Sequence, residues 1–222
     1  MDQREGCVSR TRNSKVTRTR KPRGSREKIL EVALREFSGK GLSGARVDRI
    51  AALAKTSKNM IYYHFSGKEG LYREVMRNAY KGIRQNERTL EVATLEPEDA
   101  LRAIVFLSFD YHSNNEMFVR LVMNENIHYA KHLKRTEDIK EDNRLIIETL
   151  EDILRRGQSI GIFRSDIDPT HLHLTISALG FHYVSNRYSF SKLFDLDMSS
   201  EKAVADRREA VADIVLNWCR AR

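Results

Sequence analysis

Residues 57–68 concentrate hydrogen-bond donors and aromatic side chains at helical spacing. The spacing predicts that Ile61 and Phe65 share the buried face of a short helix and that the other side chains are available to a ligand. Those side chains are Ser57, Lys58, Asn59, Met60, Tyr62, Tyr63, His64 and, just beyond, Lys68. Lysine can donate to O6 and N7 of guanine, asparagine can pair with adenine, and methionine or tyrosine can touch the methyl group of thymine. The segment therefore has the chemistry to contact the bases and phosphates of DNA.

Three short helices are the elements that must position these side chains. The apolar periodicity predicts a first helix that begins at an N-cap on Ser25 and ends at Gly39 and Gly41. It predicts a second helix over residues 46–54 and a third over residues 57–64, joined by about three residues. This spacing is typical of a helix-turn-helix unit, whose second helix enters the major groove.

The remainder of the chain is predicted to be a helical bundle. Apolar residues recur at helical spacing in a fourth helix over residues 68–92, a long helix over 130–156 and a last helix over 201–220. The Asp-Pro step at 168–169 predicts a further helix start, and residues 187–199 are predicted to form a loop. No segment has the pattern of a convincing strand. The fold class is therefore all-α, with an N-terminal three-helix domain and a C-terminal helical bundle.

The formal net charge of +8 comes entirely from the first third of the chain. Residues 1–24 carry an excess of six positive charges and residues 25–77 an excess of five, whereas residues 78–222 carry an excess of three negative charges. Such asymmetry is typical of a domain that binds a polyanion. A membrane surface is the alternative, but residues 10–23 lack the Trp, Phe and Leu face of an interfacial helix. The charge distribution therefore favours nucleic acid.

Four blocks within residues 25–76 match a known pattern in combination. They are residues 25–37, 47–51, 60–65 and 68–72. The third block ends in Tyr-Tyr-His-Phe, and the fourth reads Lys-Glu-Gly-Leu-Tyr. In this combination the sequence resembles the DNA-binding domain of the TetR family of bacterial regulators. The resemblance implies a flexible basic arm (1–24), a helix-turn-helix DNA-binding domain (25–77) and a helical ligand-binding and dimerisation domain (78–222).

The resemblance also implies roles for individual side chains. Base reading is assigned to Lys58, Asn59 and Tyr62, and phosphate positioning to Tyr63, His64 and Lys68. Arg46 is a further candidate for phosphate contact, because the N-terminus of a helix attracts anions. The alternative is that Tyr62 and Tyr63, like Phe65, belong to the core of the small three-helix unit.

Two positions depart from the family pattern. Lys55 stands in the turn where the family usually has glycine, so a left-handed conformation there would cost about 1 kcal/mol. Ala45 and Arg46 replace the usual Ser or Thr cap of the second helix.

In the arm, residues 17–23 contain no acidic residue, so the arm either enters an adjacent minor groove or attracts phosphates without specificity.

A homodimer is implied by the resemblance, with an isologous four-helix interface built from helices at about 169–186 and 201–220. Short helix-turn-helix units generally read two-fold operators as dimers. The candidate interface residues are Leu172, Ile176, Leu179, Tyr183, Val204, Val211, Val215 and Trp218. The same apolar stripes would also suit the core of a monomer, and this alternative remains open.

Polar and aromatic side chains in the middle of the bundle are candidates for a pocket that binds a small organic effector. They are Phe106, Phe109, His112, Phe118, Met123, Asn124, Asn126, His128, Phe181, His182 and Asn186. The alternative is an ordinary helical core with its normal aromatics. His128 and His132 are four residues apart but have no evident third ligand, so we predict neither a metal site nor a cofactor.

The predicted function is therefore a cytoplasmic repressor that a small-molecule effector releases from an inverted-repeat operator. The alternative is an effector-independent activator or DNA-organising member of the family. An enzyme is disfavoured, because the sequence has no dinucleotide fingerprint, phosphate loop, zinc-protease motif or nucleophile elbow. Cys7 and Cys219 have no metal or redox spacing, and no apolar run suggests a membrane span or a signal peptide.

Overall fold

The computed structural model describes residues 26–88, 91–133 and 137–221. The described residues form nine α-helices, one 3-10 turn at Val92–Thr94 and no strand, which confirms the all-α prediction. The helices are α1 (Arg26–Gly44), α2 (Val47–Leu53), α3 (Lys58–Phe65), α4 (Lys68–Arg88), α5 (Pro97–Asn114), α6 (Glu116–Ile127), α7 (Glu137–Ser159), α8 (Pro169–Leu193) and α9 (Glu201–Cys219). The predicted arm 1–24 and the predicted cap on Ser25 lie outside the described residues.

Helices α1 to α3 enclose a small apolar core that α4 completes. Ile29, Phe37, Ile50, Ile61 and Leu71 are all fully buried in it. Ile61 and Phe65 are the residues of α3 that are buried in this core, so the other side chains of α3 face outward. Burial of these side chains stabilises the unit by roughly 1.5–3 kcal/mol each.

The N-terminus of α2 is stabilised by a residue of α1 rather than by a residue of its own. Arg46 occupies the N-cap position without a side-chain cap, and Oε1 of the buried Glu36 accepts a hydrogen bond from its backbone N–H at 3.4 Å. Lys40 Nζ and Arg49 Nε lie 3.2 and 3.3 Å from the same carboxylate. Glu36 therefore fixes the start of α2 against α1.

A second, larger core lies among α4 to α9. Leu101, Val105, Leu150, Leu172 and Val215 are fully buried there. Helix α6 packs against both α1 and α8, so it connects the N-terminal helices to the bundle. Within the described part of the chain, no helix is long and apolar enough to cross a lipid bilayer.

Several predicted helix ends were wrong. α1 continues through Gly39 to Gly44, with its only non-helical step at Gly41 (φ 65°), and α7 continues past Gly157 to Ser159. α8 extends to Leu193, so part of the predicted loop 187–199 is helical. The predicted helix over 130–156 starts later, because Tyr129 and Ala130 have positive φ values. The predicted start at 168–169 is confirmed, since Asp168 accepts from the N–H of His171.

Candidate DNA-binding surface and effector cavities

Helix α3 presents an outward face that packs against no other helix among the described residues. Ser57 caps the helix by accepting a hydrogen bond from the backbone N–H of Met60 at 3.2 Å. Tyr63 is 80% exposed and Tyr62 is 50% exposed, so neither belongs to the core of the three-helix unit. The predicted DNA-contacting residues that are exposed are Arg46, Ser57, Lys58, Asn59, Met60, Tyr62, Tyr63 and His64, and Lys68 is half-buried.

Two basic side chains of this surface have partners in the chain. Lys58 Nζ lies 3.0 Å from Oδ1 of Asp48 on α2, and this hydrogen bond and charge raise the pKa of Lys58. Lys68 Nζ donates to the carbonyl oxygen of Ser43 at 3.2 Å. Lys55 has the left-handed φ of 54° that the turn between α2 and α3 requires.

We expect the Asp48 carboxylate to compete with DNA for Lys58. Asp48→Asn should raise DNA affinity about three- to tenfold at low salt, because it frees the ammonium and removes a negative charge beside the predicted DNA-contacting residues. Fluorescence anisotropy titrations at several salt concentrations measure the change. Asp206→Asn, which frees Lys202 on the surface of α9 in the same way, is the control. Unchanged or weaker binding by Asp48→Asn contradicts the competition.

The eleven residues of the predicted effector pocket do not converge on one cavity. Phe109, His112 and Phe118 are buried in the core, and Phe181 packs against His112. Phe106 lies beneath the guanidinium of Arg208, 3.5 Å from its ring centre. The other predicted residues are distributed between two cavities and the surface. Met123 and Asn124 line a cavity of about 220 Å³ among α1, α6 and α8, His182 and Asn186 line one of about 390 Å³ beside α9, and Asn126 and His128 are exposed.

The predicted interface residues lie mostly inside the subunit. Leu172, Ile176, Tyr183, Val211 and Val215 are buried in the chain's own core. The remaining three are partly buried and pack against that core; they are Leu179, Val204 and Trp218. The burial favours the core role that the sequence left open for these stripes. The outward faces of α8 and α9 carry other apolar residues, among them the 63% exposed Leu174 and the 47% exposed Ile214.

Comparison with known proteins identifies the family. Residues 29–75 match the family model "Bacterial regulatory proteins, tetR family", and residues 97–215 match "Tetracyclin repressor-like, C-terminal domain". The chain is 34% identical over 196 residues to the HTH-type transcriptional repressor NicS of Pseudomonas putida, which covers 88% of this chain and 92% of NicS. This chain belongs to the TetR family of bacterial transcriptional regulators.

Solved structures of TetR-family proteins have the same fold. The Streptomyces coelicolor regulator SCO4942 is 26% identical and superimposes with a TM-score of 0.65 over 87% of this chain and 97% of its own. AibR, solved in complex with isovaleryl coenzyme A and operator DNA, is 17% identical and superimposes with a TM-score of 0.64 over 85% and 96%. The predicted family and fold are therefore confirmed, and a role as a DNA-binding helix-turn-helix repressor is supported by the relatives.

The roles of three residues that position the candidate DNA-binding surface were not predicted from the sequence. Glu36 fixes the start of α2, Asp48 holds Lys58, and Gly70 allows α4 to pack directly on the end of α3. Glu36 and Asp48 each act on a partner ten residues away in sequence, beyond the reach of local cap patterns. Gly70 lies inside the Lys-Glu-Gly-Leu-Tyr block, so the motif itself was the signal for its role.

His132, which lies four residues after His128, is paired with a carboxylate. His132 Nδ1 lies 3.1 Å from Oε2 of the fully buried Glu125, and its backbone N–H donates to the other carboxylate oxygen at 2.6 Å. His128 is exposed. Among the described residues there is no group of three or more His, Cys, Asp or Glu arranged to hold a metal ion.

Two histidines of the bundle are held neutral by their surroundings. Burial, and secondly the charge of Arg84, lowers the pKa of His112 to about 4, and the same causes lower the pKa of His173 to about 4. His112 packs against the rings of Phe118 and Phe181. Because the pKa of each imidazole is lower in the folded than in the unfolded chain, the unfolded chain binds more protons between about pH 6.5 and pH 4.

Stability should therefore fall as the pH falls through this window. Between pH 7 and pH 5 we expect the wild-type protein to lose about 2 kcal/mol more of its free energy of unfolding than His112→Gln, which lacks this proton-binding site. Urea denaturation at the two pH values measures the loss. His128→Gln, which changes an exposed histidine, is the control and should lose as much as the wild type. An equal loss in His112→Gln contradicts the burial argument.

Proposed function

We propose that this TetR-family protein is a repressor that binds an inverted-repeat operator as a homodimer and is released by a small-molecule effector. The observation that carries the proposal is the outward face of α3, where Tyr62 and Tyr63 are exposed while Ile61 of the same helix is fully buried. Large aromatic side chains exposed on one face, beside cations, are typical of a surface that meets a partner. Operator binding places the protein in the bacterial cytoplasm.

The proposed contacts follow the chemistry of the exposed groups. Lys58, Asn59 and Tyr62 read bases in the major groove, and Met60 touches a thymine methyl group. Phosphate contacts come from groups at the edge of this surface, and they are Arg46, Ser57, Tyr63, His64 and Lys68. We assign DNA binding to residues 25–77, and effector binding and dimerisation to residues 78–222.

The proposed dimer uses the outward faces of α8 and α9 rather than the buried stripes. Leu174 and Ala178 are exposed one turn apart on α8, and Ala210 and Ile214 are exposed one turn apart on α9. Because α8 and α9 pack against each other, these residues can form one apolar surface. A self-complementary surface of this kind favours a two-fold dimer, whose symmetry matches an inverted repeat.

A contiguous set of contacts supports communication between the bundle and α3. Glu116 at the start of α6 pairs with Arg187 and accepts a hydrogen bond from the hydroxyl of Tyr188, both on α8. One turn later, Arg120 Nε donates to the carbonyl oxygen of Ser38 near the end of α1 at 3.2 Å. Movement of α8 on effector binding would therefore reach α1 and change the spacing of the two α3 helices.

Selection of genomic fragments by the purified full-length protein tests the proposal. Fragments of the source genome are selected at near-physiological salt, and the mass of the free protein is measured by light scattering. Enrichment of one inverted-repeat sequence together with a dimeric mass supports the proposed repressor. Salt-sensitive binding without an enriched sequence contradicts it and indicates a generic DNA binder. If no metabolite extract releases the protein from its operator, the effector-independent alternative is favoured.

A further inference from the structure

The cavity of about 390 Å³ lies between the C-terminal half of α8, the connection that follows it and the start of α9. We refer to it as the α8–α9 cavity. Its lining residues are His182, Tyr183, Asn186, Phe190, Leu196, Asp197, Met198, Ala203 and Arg207. The volume is within the range of small-molecule sites, which is roughly 300–1,000 Å³. The walls are mostly apolar, so they suit the hydrocarbon part of a ligand.

Most polar groups of the wall are already hydrogen-bonded within the chain. The hydroxyl of Tyr183 donates to the carbonyl oxygen of Met198 at 2.7 Å. Asn186 Nδ2 donates to Ser185 Oγ at 2.8 Å, and the ring of His182 meets the edge of Phe190 at 5.6 Å. These contacts fix the shape of the wall and leave few groups to recognise a ligand.

Arg207 differs from the other polar groups of the cavity. In the described part of the chain no carboxylate lies within 4.0 Å of its guanidinium, and its buried Nε has no hydrogen-bond partner. The next residue on the same helix, Arg208, makes two hydrogen bonds to Asp110 at 2.8 and 2.9 Å. Of these two adjacent arginines, only the one that lines the cavity lacks a counter-ion.

Asp197 is the acidic residue of the cavity, and it does not neutralise Arg207. Its side chain is exposed, and Oδ1 accepts a hydrogen bond from the backbone N–H of Ser199 at 3.1 Å. The cation therefore lies against apolar walls, while the carboxylate caps the turn that leads into α9. An anion in the cavity would meet an unpaired guanidinium in partly desolvated surroundings, where charge-assisted hydrogen bonds are strong.

We propose that the α8–α9 cavity binds a small organic carboxylate, with its anionic group on Arg207 and its apolar part against Tyr183, Phe190 and Met198. This inference rests on the proposed function, because it assigns the chemical class of the effector. The guanidinium donates two parallel hydrogen bonds to the carboxylate. Since α8 and α9 are also the proposed dimer helices, an occupied cavity would alter the subunit interface that sets the spacing of the α3 helices.

Matched pairs of probes test the charge requirement. Benzoate, hexanoate and 4-phenylbutyrate are each compared with the corresponding primary amide by calorimetric titration of the full-length protein up to 10 mM. We expect at least one carboxylate to bind at least tenfold more tightly than its amide. Arg207→Gln should weaken that carboxylate at least tenfold and change the amide little. Arg155→Gln, which removes an exposed arginine of α7, should leave both unchanged.

Three results would overturn the inference. They are equal binding of acids and amides, no binding of any carboxylate by 10 mM, and loss of the dimer rather than of probe binding in Arg207→Gln. The last result would show that a second copy of the chain occupies the cavity. Circular dichroism and the affinity of each variant for the selected operator are measured in parallel. If the wild type binds its operator but binds no carboxylate, only this inference is contradicted. If the wild type selects no operator, the proposed function is contradicted.

Discussion

The double variant Lys58→Ala/Tyr62→Ala is expected to lose at least about thirtyfold in operator affinity, because a good contact to a base discriminates by roughly 1–3 kcal/mol and two are removed. Its affinity for unrelated DNA should fall much less, since most phosphate contacts remain. Lys58 and Tyr62 both lie on the exposed face of α3, and neither contributes to its buried core. Anisotropy titrations with the selected operator and with a scrambled duplex measure both affinities.

The matched control for this variant removes the same two residue types elsewhere. Lys202→Ala/Tyr129→Ala takes away an 84% exposed lysine side chain and a 91% exposed tyrosine, both far in sequence from α3. It should keep the operator affinity of the wild type. An equal loss in the control, or equal losses on operator and scrambled DNA in the α3 variant, contradicts base reading by α3.

Gly70→Ala is expected to destabilise the protein by about 3 kcal/mol, although alanine normally stabilises a helix interior by about 1 kcal/mol relative to glycine. A Cβ atom at position 70 would lie 1.7 Å from the carbonyl oxygen of Phe65 and 3.0 Å from its carbonyl carbon. Because both of these are backbone atoms, α3 and α4 must separate to accommodate the methyl group. The displacement of α3 should also weaken operator binding.

Urea denaturation of Gly70→Ala and of Gly39→Ala separates this clash from ordinary helix propensity. Gly39 lies within α1, and a Cβ atom there would meet nothing within 4 Å. Gly39→Ala should therefore raise the free energy of unfolding by about 0.5–1 kcal/mol. A Gly70→Ala protein as stable as the wild type would contradict the direct packing of α4 on the end of α3.

Local features of this chain were predictable because each depends on a few neighbouring residues. Helical periodicity is set by residues three and four apart, and a cap by a side chain within three residues of its partner. Helix starts at Ser57 and at Asp168 were predicted, and each of these side chains accepts a hydrogen bond from the backbone N–H three residues later, of Met60 and of His171. The all-α class and the family also followed from local patterns, since the helix-turn-helix blocks are short and contiguous.

Features that depend on contacts between distant segments of the chain could not be predicted from local sequence patterns. Gly39 and Gly157 look like helix ends, yet α1 and α7 continue through them. At Gly157 the reason is visible, since a Cβ atom there would lie 2.1 Å from the ring of Phe163. Local propensity is small against such packing, so the tertiary structure decides where these helices end.

The sequence by itself was enough to predict that this protein is helical and that its family is TetR, and it pointed to residues 57–68 as the candidate DNA-contacting segment. Only the tertiary structure decided that Leu172 and Val215 belong to the core, and that Arg207 faces a cavity with no counter-ion from the described residues while Arg208 is paired. The physical reason is that an apolar stripe or an arginine has the same local pattern whatever it meets. Its role depends on which helix packs against it, and that is fixed by the packing of the whole chain.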